Sequence, residues 1–303
     1  MERDGVMTYL ESVENLVEQF CKDPIDVYID IKPEIVDKLG KQIGEMECSD
    51  MGVPKVIFEI AEKNSLEYDS FDFKQLVVLY ELLAGSVNFC YWYGAHNVRP
   101  TGGGASVMYQ CLDEAFRASA QDGNITGRFG ENMVRCHMPL IEERLKYVSH
   151  VAIRDSVKND VYLLLYAKSL QDFLDKLLIS YVSFSKDMFL KRAFLLVHML
   201  NRRLGLYEEF IHQVPVPADY QIPKMLEWFG VLKYSDDLHD MIWESRLIPS
   251  GSLQECEIRA STIMACKMLA DEIGCTQGDI DIALWYNRKA CDNPFHLTIT
   301  TDY

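Results

Sequence analysis

Residues 218–259 read ADYQIPKMLEWFGVLKYSDDLHDMIWESRLIPSGSLQECEIR, and their punctuation decides the fold. Pro215 and Pro217 bracket a loop that runs into Ala218-Asp219-Tyr220. Pro223 fits the first turn of a helix reaching Phe229, where a missing N–H costs nothing. Gly230 stops that helix, and Ser235-Asp236 opens the next, Leu238 to Trp243. Two short helices joined by a Gly-containing turn resemble a helix-hairpin-helix. Ser252 with Glu255 three residues later is a capping box, opening a long helix from Leu253 to about Ile273. A last helix, Ile280 to Ala290, precedes an extended tail over residues 293–303.

The same helical signal continues upstream. Val6, Leu10, Val13, Leu16, Val17 and Phe20 recur at three- and four-residue steps and share a helix face. Phe73 to Trp92, with Gly85 inside it, is apolar and long enough for a buried helix. Leu140 to Val151, Val161 to Val182 and Phe189 to Leu206 repeat the pattern, and Gly205 closes the last of them. Strand candidates are few: Asp26 to Ile31 and His296 to Thr301. The expected fold is mostly α, a helical bundle, with an N-terminal helical extension over residues 1–65 and one compact catalytic domain over 66–303.

The 303 residues are 49% hydrophobic and 25% charged, enough to build a large core, which excludes wholesale disorder. Thirty basic residues against 46 acidic ones leave a net charge of −16. That balance disfavours a stable complex with nucleic acid, whose affinity comes largely from neutralised phosphates. A local basic pocket for one small anion stays open. The start, Met1-Glu2-Arg3-Asp4, is charged and reads as no signal or transit peptide, and no apolar run approaches a membrane span. Nine scattered cysteines without a C-x-x-C pair point to free thiols in a reducing compartment, hence a cytoplasmic protein without a structural zinc site. The sequence does not fix the oligomeric state.

Several residues could carry chemistry, each beside a plainer reading. Thr101-Gly102-Gly103-Gly104 could cradle a phosphate or be a simple loop, since neither glycine-rich nucleotide spacing is present. Asp219 is either the cap of the helix that follows or a carboxylate aimed into a cleft. Glu255 fits a cap, and Glu257 and Arg259 point to different helix faces, one of them inward; such charges usually mark a solvated face. Asp281, near the start of the last helix, either complements the helix dipole or accepts hydrogen bonds from a base edge, with Trp285 stacking nearby. The run Asn88 to Tyr93 is core or a stacking platform. Lys186, Lys191 and Arg192 are surface charge or phosphate ligands, and His296 is a structural histidine by default.

Seven short motifs occur here in one order. They are residues 87–92, 138–144, 189–193, Ala218-Asp219-Tyr220-Gln221-Ile222-Pro223, 230–235, 255–259 and Asn293-Pro294-Phe295-His296. Together they resemble the queuosine salvage family, the queuosine-5′-phosphate N-glycosylases, over roughly residues 70–303 and without a gap from Ala218 to Arg259. The resemblance implies an all-helical fold similar to helix-hairpin-helix DNA glycosylases. It also implies hydrolysis of the N-glycosidic bond of queuosine 5′-phosphate, with neither metal nor organic cofactor and a small modified nucleotide as partner. Two other readings use the same scaffold: an enzyme acting on a hypermodified base in DNA, and a protein that binds a modified nucleotide without turnover.

Breaking such a bond develops positive charge at ribose C1′ and negative charge on the leaving base. A 7-deazaguanine has carbon in place of N7, so protonation there is closed, and a carboxylate beneath C1′ matters more, as nucleophile or as electrostatic stabiliser. Asp219 matches the family's catalytic acid, with Tyr220 beside it among the substrate-binding residues. Asp281 matches a family Asp placed to accept from the base's 2-amino and N1–H groups. Lys186 and Lys191 are candidates for the 5′-phosphate, Tyr234 and His296 for the pocket wall, and Asn88, Trp92 and Trp285 for further substrate contacts. Three departures stand out: Gln221 where the family has Arg, Met199 where it has Asp, and a shorter, Gly-rich segment between Trp92 and Asp113.

Overall fold

A computed structural model describes residues 7–46, 52–94, 100, 103–119, 123–153 and 157–303. Met1 to Asp4, Val6, Thr101 and Gly102 lie outside the described residues. The chain begins with α1 (Tyr9–Lys22), set by a full capping box: Glu11 N donates to Thr8 Oγ1 and Thr8 N to the Glu11 carboxylate. Strand β1 (Val27–Ile29) follows, then α2 (Pro33–Glu45), α3 (Lys55–Lys63) and α4 (Phe71–Ser86). The middle of the chain is α5 (Gly104–Ser119), α6 (Ile125–Arg135), α7 (Ile141–Ile153), α8 (Val157–Leu165), α9 (Leu170–Ser180) and the short α10 (Val182–Ser185). Next come α11 (Lys191–Leu204), α12 (Gln221–Trp228), strand β2 (Leu232–Tyr234), α13 (Asp236–Trp243), α14 (Leu253–Ile273) and α15 (Gln277–Asn287). The fold is mostly helical, and among the described residues no helix is long and apolar enough to cross a membrane.

The centre is α14. Ile258, Ala260, Ile263, Ala265, Cys266 and Leu269 are all buried on it, and α1, α12 and α15 pack around it. Each large aliphatic side chain enclosed in this way contributes roughly 1.5–3 kcal/mol of transfer free energy. Its ends follow local rules: Ser252 Oγ accepts from Glu255 N, and Gly274 closes the helix with φ 77°. Only half of the expected capping box forms, because the Glu255 carboxylate accepts from Gly251 N instead. Glu255, Glu257 and Arg259 are all buried, which corrects the expectation of a solvated face. Glu257 shows why. Its two oxygens accept from Ile25 N and Asp26 N, at 3.1 and 2.7 Å, and tie the N-terminal segment to the core helix.

The other differences from the sequence reading have equally local causes. The apolar stretch 73–92 is a helix only to Ser86. Beyond it the buried Arg144 guanidinium donates to the carbonyls of Val87, Phe89 and Cys90, which holds them out of a helical ladder. Residues 161–182 are split, because Ser169 caps a new helix. Between α12 and α13 the chain is not merely a turn: β2 pairs antiparallel with β1, Val27 opposite Tyr234. The second expected strand does not form, and Leu297 makes only an isolated parallel bridge to Leu247. Gly104 starts α5 against Tyr91, where a β-carbon would lie 2.1 Å from that side chain, so this glycine serves close packing.

Candidate active site

The loop 214–219 is held from three sides. Pro215 O accepts from His198 Nε2 at 3.0 Å, and Val216 N donates to Gln277 Oε1 at 3.0 Å. Ala218 O accepts from Arg259 Nε at 3.2 Å. Burial holds His198 neutral, down to about 4, so one ring nitrogen carries the proton that this bond uses. A β-carbon on Gly278 would come within 2.6 Å of the His198 ring, so α15 can lie this close only with glycine there. At the end of the loop, Asp219 Oδ1 accepts from Gln221 N at 2.7 Å and Ile222 N at 3.2 Å. The cap and the cleft readings therefore describe the same side chain. One oxygen is fixed by backbone donors, and Oδ2 is without a hydrogen-bond partner among the described residues.

A buried ion pair joins this loop to α11. Arg259 grips Asp187 in bidentate fashion, at 2.8 and 2.7 Å, with Glu255 at 3.5 Å. Asp187 in turn accepts from Phe189 N and Lys191 N, at 3.0 and 2.7 Å, and so caps α11 after Leu190 turns through φ 51°. Lys191 Nζ then reaches Asn88 O at 3.2 Å and Asn88 Oδ1 at 3.4 Å, while Tyr91 donates to that same Oδ1 at 3.2 Å. Asp219, Lys191 and Asn88 come from three distant parts of the chain, and one guanidinium sets two of them.

Their charges are coupled. Burial first, and the Asp219 charge second, push the Asp281 carboxyl up to about 7. Burial lowers Lys191 to about 8 against the opposing pull of Asp219. Burial and a neighbouring carboxylate act in the same direction on Asp281, and together they bring it to titrate near neutrality. Asp219, Asp281, Asn88 and Trp285 are half-buried, whereas Lys191 and Trp92 are enclosed. Trp92 meets Tyr220 edge-on at 4.8 Å, and Phe295 closes the aromatic wall, 4.7 Å from Tyr220 and 5.5 Å from Trp92.

Of the sequence-derived candidates, Asp219, Asp281, Lys191, Asn88, Tyr220 and Trp92 thus meet. Trp285 approaches through Arg288, whose guanidinium covers its ring. Three do not join them. Lys186 is exposed, with Nζ 5.7 Å above the Tyr147 ring. Tyr234 sits in β2, its hydroxyl pushed up by burial and then by the Glu227 charge. His296 is buried against Tyr303 Oη at 3.0 Å and is kept neutral, down to about 3, by burial and Arg259. Arg192 also proves internal, bonded to the carbonyls of Ser86 and Ser183. Sequence reading missed Asp187, His198 and Arg288, and took Tyr91 only as part of the aromatic run 88–93. Only Arg288 carried a usable signal, its i,i+3 spacing from Trp285.

Residues 108–300 match the family model described as queuosine salvage protein. The chain belongs to the queuosine salvage protein family. Among curated relatives, a queuosine 5′-phosphate N-glycosylase/hydrolase of Dictyostelium discoideum is 26% identical over 311 aligned residues, covering 88% of this chain and 94% of its own. Proteins of the same name from Sphaerobacter thermophilus and Mus musculus are each 33% identical over shorter stretches, 38% and 23% of this chain and 39% and 20% of theirs. The part shared with the queuosine salvage family model contains Lys191, Asp219, Asp281 and Arg288, whereas Asn88 and Trp92 lie ahead of it.

Proposed function

We propose that this protein hydrolyses the N-glycosidic bond of queuosine 5′-phosphate, releasing queuine and ribose 5-phosphate. The observation that carries the reading is Asp219: one carboxylate oxygen pinned by two backbone N–H groups, the other unpartnered among the described residues, beside Lys191 and Asp281. The C1′–N bond breaks and its electron pair leaves with the base. Water supplies hydroxide to C1′ and a proton to the base. Asp219 opposes the positive charge that grows at C1′, either through space or by attack. Ionised Asp281 accepts from the base's 2-amino and N1–H donors, and Trp92, Tyr220 and Phe295 exclude water.

The helix pair around Gly230 and the buried α14 suit a glycosylase-like catalytic unit over 66–303, with 1–65 as an extension stitched on through Glu257 and the β1–β2 pair. The net charge of −16 suits a free cytoplasmic nucleotide better than a nucleic acid. The test is incubation of purified protein with queuosine 5′-phosphate and mass spectrometry of the products. Equimolar queuine and ribose 5-phosphate are expected, and no release of base would overturn the reading.

Asp281 adds a pH prediction. Its native carboxyl holds a proton that the unfolded chain gives up near 3.8, so stability falls as pH rises from 3.8 through about 7 and then levels off. Activity moves the other way: kcat/KM rises as Asp281 ionises near 7, then declines as Lys191 loses its proton near 8. Asp281→Asn is expected to unfold at higher urea concentration than the parent at pH 8, to turn over more slowly, and to lack the limb near 7. A variant that keeps this limb would assign it to another group.

A further inference from the structure

We infer that Arg288 takes the 5′-phosphate of the substrate, a step that rests on the nucleotide reading above. Arg288 immediately follows α15, which packs on α12, the helix that begins beside Asp219. Its guanidinium lies flat on the Trp285 indole, Cζ 3.2 Å from the ring centre, and Nη1 donates to Trp285 O at 2.7 Å. Among the described residues that is its one hydrogen bond, and no carboxylate comes within ion-pair distance. A guanidinium has five N–H donors, so most of this one's are unspent although the residue is half-buried. Burial lowers its pKa while the Asp219 carboxylate opposes that shift, in keeping with the packing of α15 on α12.

Four other buried or half-buried cations around α11, α12 and α14 are committed. Lys191 holds Asn88, Arg202 donates to Gly278 O, Lys224 donates to Cys291 O, and Arg259 holds Asp187. Lys186 stands over Tyr147. Gln221, the first residue of α12, contributes no charge. A guanidinium clamped on an indole has little rotamer freedom left to lose, and its free edge matches two phosphate oxygens. The plainer reading, an arginine complementing a helix C-terminus, accounts for the bond to Trp285 O but not for the donors left over in a partly desolvated place.

The test compares queuosine 5′-phosphate with queuosine, which lacks the phosphate, in the parent, Arg288→Lys and Arg288→Met proteins. Arg288→Met is expected to lower kcat/KM for the phosphorylated substrate by about 10–100-fold, the range for hydrogen bonds to a charged group. The loss on queuosine should be at least about tenfold smaller on the same basis, and Arg288→Lys should recover part of the difference. Calorimetric binding of ribose 5-phosphate, which needs no turnover, should weaken in parallel. Equal losses on both substrates, or ribose 5-phosphate binding that ignores Arg288, would overturn the assignment. Should the parent cleave neither substrate yet bind ribose 5-phosphate through Arg288, the hydrolase reading falls and the phosphate site stands.

Discussion

Asp219→Asn is expected to slow queuine release from queuosine 5′-phosphate by about 10²–10³-fold in kcat, the loss found when one preorganised electrostatic group is removed from a desolvated site. The substitution is nearly isosteric. An asparagine Oδ1 can still accept from Gln221 N and Ile222 N, the two bonds that shape the start of α12. What disappears is the negative charge on the unpartnered oxygen. The urea midpoint should therefore stay close to the parent's while turnover collapses. The comparison with Asp219→Ala is informative, because that change removes the cap as well and should cost about 1 kcal/mol of stability in addition. Near-parental turnover by Asp219→Asn would mean that the cap is the residue's whole role.

The largest stability effect is expected at the Asp187–Arg259 pair. Both side chains are almost wholly enclosed, and Arg259 lies under the rings of Tyr303 and Phe189, 4.4 and 4.8 Å from their centres. Asp187→Ala leaves a guanidinium in the core with Glu255 as its one remaining ion-pair partner among the described residues, and strips Phe189 N and Lys191 N of their acceptor. Breaking a buried pair from one side costs about 3–5 kcal/mol. Urea unfolding measures that cost directly. Replacing both partners, Asp187→Ala with Arg259→Met, should recover part of it, since the guanidinium is no longer stranded and the buried Glu255 keeps its bond from Gly251 N. Activity should not return in the double variant, because Ala218 O and the α11 cap would still lack their tethers. A single variant as stable as the parent would show that Glu255 alone satisfies the guanidinium.

The parts of the fold written in local chemistry were readable in advance. The expected limits of α14, Leu253 and about Ile273, are the observed ones, because Ser252 and Gly274 act on their own neighbours. What depends on distant partners was not readable. The end of α4 is set by Arg144, 57 residues from Val87, and β1 pairs with β2, a strand the sequence did not suggest. Glu255, Glu257 and Arg259 look like solvent-facing charge in any window, since spacing does not reveal that their helix is surrounded. Asp219 and Asp281 stood out through the family motifs, with spacing alone leaving each ambiguous. Arg288 went unnoticed because a cation at a helix end already has an ordinary explanation.

The position of Arg144 has a consequence for the newborn chain. Asn88 leaves the ribosome more than fifty residues ahead of the side chain that seats its neighbours, and about two hundred ahead of Asp281. The catalytic pocket is therefore among the last regions to mature, since a chain that stops before α15 lacks both Asp281 and Arg288.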